Sequence, residues 1–239
     1  MTNLNVQPDA TVLSGNIEMS SFSEKTLQES KITVSSHGIY QSKPVYDAIK
    51  RFFDIVCSLV ALTVLSPLML AVMVLIVIDD FGSPIYLQER VGRNGKIFKI
   101  YKFRSMYKKA DKRFEELLAK DECKGATFKI KNDPRITKIG HIIRKTSIDE
   151  LPQLINILKG EMSVVGPRPF IPREQALLPD ERLMVNPGLS CYWQIGGKNS
   201  LTKEEQIELD RKYIMDRSLA VDIKIIIKTI LFVFKIGNS

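Results

Sequence analysis

Asp149 and Glu150 stand side by side in the stretch Arg144-Lys145-Thr146-Ser147-Ile148-Asp149-Glu150-Leu151-Pro152-Gln153. In isolation an Asp-Glu pair near a helix start is ordinary decoration, because carboxylates are favoured at the positive end of the helix dipole. The surroundings point to chemistry. Arg144 and Lys145 lie just upstream, Arg168 sits in a loop stiffened by Pro167 and Pro169, and Lys102 and Arg104 come earlier in the chain. Guanidinium forks match phosphate oxygens. Neighbouring residues on a helix point about 100° apart, so the two carboxylates need not share a proton and can hold different roles, one to attack or bind metal and the other to position it. A carboxylate among fixed cations resembles a phosphoryl-transfer site, where positioning and charge neutralisation supply most of the catalysis. The plainer reading of the same cations is a solvated, membrane-facing patch. Neither a Walker A sequence nor GxGxxG occurs, so the common nucleotide-binding loops are absent.

Composition narrows the alternatives. The 239 residues carry 35 Lys+Arg against 27 Asp+Glu, a net charge of +8. That balance favours an anionic partner: nucleic acid, a phospholipid surface or a phosphorylated substrate. His37 and His141 are the only histidines, which excludes a HExxH protease. Cys57, Cys123 and Cys191 are widely spaced and form no CxxC, which argues against a disulfide framework or a Cys-rich zinc site.

The elements that must position these residues are readable in part. Ser147 and Glu150 match a capping box. Pro152 favours a slightly later start, with Asp149 near the N-cap and Pro152 in the first turn. Either way a helix over 149–159 ends at Gly160. Gly166-Pro167-Arg168-Pro169 reads as a rigid loop. Short strands at 84–87 and 97–101 flank Gly92-Arg93-Asn94-Gly95, and Asn-Gly is a strong hairpin signal. Helices are expected over 108–120, 135–145 and 202–217, with a turn at 131–134. Residues 1–43, polar and without helical periodicity, read as a mobile tail with no apolar signal-peptide core.

Residues 55–78 are uncharged, and their only non-apolar members are Ser58, Thr63, Ser66 and Pro67. A stretch this long is a membrane-segment candidate, and a single spanning helix is its simplest form. Two features argue for a re-entrant hairpin instead. Pro67 has no N–H for the Thr63 carbonyl, and the Ser66 hydroxyl can help satisfy the freed group. Each flanking half then reaches only about 16 Å at 1.5 Å per residue. Both flanks are also basic: Lys43, Lys50 and Arg51 precede the run, and residues 90–113 hold ten Lys/Arg and one acid, Asp111. Basic flanks mark the cytoplasmic side, so both ends are expected there. In the last segment, 221–236, Lys224, Lys228 and Lys235 form one cationic stripe beside many apolar residues. That pattern suits a helix lying in the membrane interface.

Taken together, these motifs resemble the bacterial sugar transferases of the monotopic phosphoglycosyl transferase superfamily. The matching residues are Lys50-Arg51-Phe52-Phe53-Asp54, Ser66-Pro67, Gln88-Glu89-Arg90-Val91-Gly92, Lys102-Phe103-Arg104-Ser105-Met106, Arg144, Asp149-Glu150-Leu151-Pro152-Gln153, Asn156-Ile157-Leu158-Lys159-Gly160 and Met162-Ser163-Val164-Val165-Gly166-Pro167-Arg168-Pro169. Singly these are weak; in this order and spacing they are specific. The resemblance implies transfer of a sugar 1-phosphate from a UDP-sugar to polyprenyl (undecaprenyl) phosphate. The aspartate matching Asp149 would attack and release UMP, leaving a covalent phosphosugar-enzyme. The residue matching Glu150 would assist as base or positioner, Mg²⁺ would sit against the aspartate, and the arginine matching Arg144 would contact phosphate. It also implies a re-entrant membrane segment broken at Ser66-Pro67. The stretch Pro187–Asn199 departs from the family pattern, with a shifted or doubled aromatic and Lys198 in place of arginine. The chain resembles a minimal catalytic form without the extra N-terminal membrane helices of larger relatives.

The expected fold is therefore α+β and mostly helical: a tail over 1–43, a re-entrant membrane hairpin over 44–80, and a cytoplasmic catalytic domain over 81–239 with one small β-hairpin and an interfacial C-terminal helix. Substrate contacts are assigned to Lys102, Arg104, Arg144 and Arg168, catalysis to Asp149 and Glu150, metal to Asp149, and the membrane break to Ser66 and Pro67. Expected partners are a UDP-sugar, polyprenyl phosphate and membrane lipid, with Mg²⁺ as cofactor; a homo-oligomer is compatible with the sequence. The function would be initiation of an exopolysaccharide, capsule or glycoconjugate repeat at the cytoplasmic face of a bacterial membrane. A non-catalytic membrane scaffold is the alternative. Nucleic-acid binding fits the charge, but no motif supports it and the uncharged run has no place in it.

Overall fold

The uncharged run forms the middle of one long helix. The computed structural model describes residues 42–108, 110, 133–192 and 201–237, with side chains to Leu231. The expected tail (1–41 of it), nearly all of the helix over 108–120, and the departing segment from Trp193 lie outside the described residues.

Helix α1 spans Pro44–Asp79, 36 residues, long and apolar enough to cross a membrane by length and composition. Residues facing the rest of the protein recur every three or four positions, as helical periodicity requires. Asp54, Ser58, Val72 and Ile76 are buried, and Ala61, Leu62, Met69 and Met73 pack beside them against the body. The opposite face exposes Val56, Leu59, Val60, Val64, Leu68 and Leu70.

The break expected at Ser66-Pro67 takes a different form: the helix is uninterrupted there. Pro67 leaves the Thr63 carbonyl without its backbone donor. Ser66 Oγ donates to that carbonyl at 2.8 Å, and Thr63 Oγ1 donates to the Leu59 carbonyl at 2.9 Å. Side-chain hydroxyls take over where the backbone bond is lost, so the chain need not leave the helix.

Both ends of α1 are tied to the same body. At the N-terminal end, Lys43 Nζ donates to the Arg217 carbonyl at 2.9 Å and Lys50 Nζ pairs with Asp222 at 2.8 Å. Arg51 donates to the Ile157 and Leu158 carbonyls at 2.5 and 2.7 Å, and Asp54 accepts the Val164 N–H at 3.0 Å. At the C-terminal end, Asp79 accepts the Ile139 N–H at 3.0 Å and Asp80 pairs with Arg104 at 3.6 Å.

Strands β1 (Ile85–Val91) and β2 (Ile97–Phe103) form the expected antiparallel hairpin, with Val91 opposite Ile97 and Ile85 opposite Phe103. Asn94 and Gly95 carry the positive φ angles of its tip, 56° and 74°, which is why Asn-Gly signalled it. Phe98, Ile100 and Lys102 share one strand face. Phe98 and Ile100 pack with Leu154, Ile157 and Met162, so Lys102 is carried inward on the same side.

Helix α2 (Lys138–Lys145) is capped by Thr137, whose hydroxyl accepts from the Gly140 N–H. Helix α3 (Gln153–Lys159) ends at Gly160, whose φ of +82° is the left-handed stop expected from sequence. Strand β3 (Ser163–Val165), the short helix α4 (Pro172–Gln175) and strand β4 (Gly188–Ser190) follow, and β3 pairs with β4 in parallel. Helix α5 (Lys203–Asp216) opens on a complete capping box, Thr202 with Glu205. Helix α6 (Leu219–Gly237) is half core and half surface. Ile225 is buried against Val165 and Tyr213, while Ile223, Ile227, Ile230 and Leu231 are exposed beside the exposed Lys224 and Lys228. The described fold is thus α+β, mostly helical, with a small antiparallel hairpin.

Candidate active site

Ser147 reverses the chain after α2 with a left-handed backbone, φ +59°, and its hydroxyl makes no cap bond. The capping box expected with Glu150 is therefore not formed. Residues Ile148–Glu150 make a single tight 3₁₀ turn, and α3 begins later, at Gln153 with Pro152 as its N-cap. Packing explains the shift. Ile148 and Leu151, three apart and hence on one side of such a turn, pack on the cluster of Val72, Ile76, Phe103 and Ile143. With its flanking residues anchored on the cluster shared by α1, β2 and α2, the turn presents Glu150 to Lys102 and Arg168.

Glu150 Oε1 lies 3.1 Å from Lys102 Nζ and 3.5 Å from Arg168 Nη1. Burial pushes the Asp149 carboxyl above the usual carboxylate range; the charges of Lys102, Arg144 and Arg168 oppose this, and Glu150 adds to it. Burial lowers the Lys102 ammonium, with the Glu150 carboxylate opposing. Asp149, Glu150, Lys102 and Arg168, from three segments, thus form one electrostatic unit, with Arg144 acting on it from α2. Lys102, Glu150 and Arg168 border a cleft also lined by Arg90, Gln153 and Leu189, and Asp149 adjoins it as the neighbour of Glu150. A larger hollow beside Lys50, Arg51 and Tyr213 contains none of the candidate catalytic residues.

The other candidates fall in different places. Arg144 is exposed on the last turn of α2, and its charge reaches both Asp149 and Asp133. Arg104 is committed elsewhere: its guanidinium pairs with Asp80 and donates to the Asp80 carbonyl, tying down the end of α1. Ser66 and Pro67 are exposed on the outer face of α1.

The Arg168 loop is held from several sides. Gly166 N–H donates to the Ser190 carbonyl and Gly188 N–H to the Pro167 carbonyl, both at 2.9 Å. Gly166 and Gly188 approach so closely that a Cβ on Gly188 would run into the backbone of Gly166. Asn156, fully buried, accepts the Tyr101 N–H at 3.0 Å and donates to the Lys99 carbonyl at 2.8 Å. It thereby fixes α3 to the strand that carries Lys102. Sequence reasoning assigned no role to Asn156, Arg90 or Gln153; all three lay in motifs already noted, which was their only signal.

Among the described residues no group of three or more His, Cys, Asp or Glu is placed to hold a metal. A Mg²⁺ site does not need one, because that ion commonly takes one or two carboxylates and completes its shell with water and substrate phosphate. Glu150 is already bonded to Lys102 and Arg168, so the carboxylate that fits such an ion is Asp149.

Comparison with known proteins agrees with this arrangement. The family described as Bacterial sugar transferase matches residues 45–236. Undecaprenyl-phosphate galactose phosphotransferase of Salmonella typhimurium is 46% identical over 188 residues, covering 76% of this chain and 39% of that protein. UDP-galactose-lipid carrier transferase of Erwinia amylovora is 46% identical over 194 residues, covering 78% and 40%. Exopolysaccharide production protein ExoY of Rhizobium meliloti is 43% identical over 196 residues, covering 79% and 86%. The chain thus spans about two fifths of the first two relatives and most of the third. The match takes in α1, the Asp149-Glu150 turn and the Arg168 loop together, and on it the chain belongs to the bacterial sugar transferase family.

Proposed function

We propose that this chain is a phosphoglycosyl transferase that moves a sugar 1-phosphate from a UDP-sugar to polyprenyl phosphate at a membrane surface, and so starts an exopolysaccharide, capsule or glycoconjugate repeat. The observation that carries this reading is the position of the carboxylate turn. Ile148 and Leu151 pack on the buried cluster that α1 shares with β2 and α2, while Glu150 between them meets Lys102 and Arg168. Anion-binding groups thus stand at a turn braced by the cluster that holds the buried side of α1, the helix whose outer face is apolar and exposed. The relatives named for undecaprenyl-phosphate galactose phosphotransfer and exopolysaccharide production support the donor and acceptor classes.

In this mechanism an Asp149 carboxylate oxygen attacks the sugar-side phosphorus of the donor. The P–O bond to the nucleotide phosphate breaks, UMP leaves with that oxygen, and the phosphosugar remains on Asp149 as an acyl phosphate. An oxygen of the lipid phosphate then attacks the same phosphorus. The bond to Asp149 breaks, the carboxylate is restored and a polyprenyl diphosphate sugar departs. Splitting the transfer in two lets each step use an in-line nucleophile. Lys102 and Arg168 offset the charge that builds on the phosphoryl oxygens, and Glu150 holds those two cations in place. Mg²⁺, bound by Asp149 with donor phosphate and water, would supply further neutralisation of the diphosphate.

The monotopic arrangement at the cytoplasmic face belongs to the same proposal. Basic residues flank α1 on both sides, and both of its ends bond to one body, which a straight crossing would separate. The exposed apolar stripe of α6 beside Lys224 and Lys228 suits the same lipid interface.

The test is UMP release from a panel of UDP-sugars (galactose, glucose, N-acetylated and deoxy sugars) with polyprenyl phosphate and Mg²⁺. The expected result is release from at least one sugar, stopped by EDTA and restored by Mg²⁺, and lost in Asp149→Ala with membrane association intact. No release from any donor, or near wild-type release by Asp149→Ala, would contradict the reading.

A further inference from the structure

Arg168 reaches Glu150 from a loop whose two consecutive carbonyls are each held by a different largely buried arginine. Arg182 Nη2 donates to the Arg168 carbonyl at 2.9 Å, and Arg90 Nη1 donates to the Pro169 carbonyl at 3.2 Å. Each arginine is itself fixed. Arg182, 6% exposed, bonds Asp210 of α5 through Nε at 3.1 Å and Nη2 at 2.7 Å. It also donates to Gln175 at 3.3 Å and stacks over the Phe170 ring at 4.2 Å. Arg90 Nη2 donates to Gln88 at 2.6 Å, and its Nη1 lies 3.9 Å from Glu174. The neighbouring Val91 N–H donates to the Phe170 carbonyl at 2.9 Å. Two planar, pre-organised forks therefore grip the two successive carbonyls that begin at the residue whose side chain faces the cleft, and such forks lose less freedom per bond formed than an ammonium would.

Charged groups this buried are costly unless they are well paired. The core at this place would be served as well by apolar side chains, so the grip needs a reason. A guanidinium that must meet a phosphoryl group has to be held within about 0.5 Å of its productive position by supporting contacts. We propose that Arg182, anchored by Asp210, and Arg90 are positioning residues for Arg168: they set the placement of its guanidinium at the cleft, Arg182 from behind the loop and Arg90 from the cleft wall. The inference rests on the reading of Arg168 as a phosphate-binding residue.

The experiment is a set of double-mutant cycles on the full chain in membrane, read as kcat/KM and as separate kcat and KM for UMP release. Arg182→Lys and Arg90→Lys keep the charge opposite Asp210 and Glu174 but cannot span the same contacts. Each is made with Arg168 present and in an Arg168→Ala background, with melting of the solubilised protein followed in parallel. The account predicts that Arg168→Ala lowers kcat/KM about 100-fold, the order seen when one preorganised donor is removed. Each lysine variant should lower it about tenfold with Arg168 present and less than twofold in the Arg168→Ala background, because residues acting as a unit are not additive. Equal losses in both backgrounds would overturn the positioning role while leaving Arg168 in the site. Loss of the fold in both lysine variants would equally overturn it, since the two arginines would then be framework only. If Arg168→Ala left UMP release unchanged, the phosphate reading of Arg168 would fail first, and the proposal with it.

Discussion

At the scale of single residues, Lys102 ties the site together. It is the cation that most opposes the upward push of burial on Asp149, and it bonds the neighbouring Glu150 at 3.1 Å. Hydrogen bonds to charged groups are worth about 1.5–3 kcal/mol. Lys102→Met is therefore expected to lower kcat/KM for UMP release by about 10–100-fold, with Lys102→Arg recovering part of the loss. Unchanged kinetics in Lys102→Met would remove it from the site. Residue type and motif singled out Asp149, Glu150, Lys102 and Arg168, and the structure brings these four together. Arg104, singled out with them, lies with Asp80 instead, and strand geometry says why. Alternation would place it on the Lys102 face, but β2 ends at Phe103 and the next side chain follows the chain to Asp80. The Ser147–Glu150 capping box is not formed for a related reason: burying Ile148 and Leu151 on the cluster of Val72, Ile76, Phe103 and Ile143 outweighs a cap worth about 1 kcal/mol.

At the scale of elements, signals that act within a few residues were legible. The Asn-Gly hairpin, the Gly160 stop and the helices over 138–145 and 203–216 all depend on local backbone preferences. The parallel β3–β4 pair was not. Its strands are three residues each and are separated by a long excursion, so neither periodicity nor turn chemistry marks them. The Arg182–Asp210 pair likewise joins residues 28 apart in sequence, beyond any local pattern. For α1, sequence suggested a break at Pro67, and the structure has hydroxyl bonds in its place. The sequence expectation was that both ends lie on the cytoplasmic face; the structure shows both ends bonded to one body. Single cysteines at Ser42 and Ser83, in a chain otherwise freed of reactive thiols, are expected to react with an impermeant maleimide from the same side of sealed vesicles. Labelling from opposite sides would refute the monotopic arrangement.

At the scale of the whole molecule, α1 enters two of the buried clusters among the described residues and also carries an exposed apolar face. Helix α6 adds a second exposed apolar stripe beside its lysines. The site turn packs on the cluster that holds the buried side of α1. In the proposed function the donor and acceptor arrive from different phases, and a carboxylate that stores the phosphosugar would let them come in turn. The most direct measurement is to incubate the protein with Mg²⁺ and a sugar-radiolabelled UDP-sugar in the absence of lipid acceptor, then locate retained label by peptide mass spectrometry. The account predicts one phosphosugar on the peptide containing Asp149, released on adding polyprenyl phosphate and absent from Asp149→Asn. An enzyme that turns over with acceptor yet never retains label, or that retains it in Asp149→Asn, would contradict the central claim.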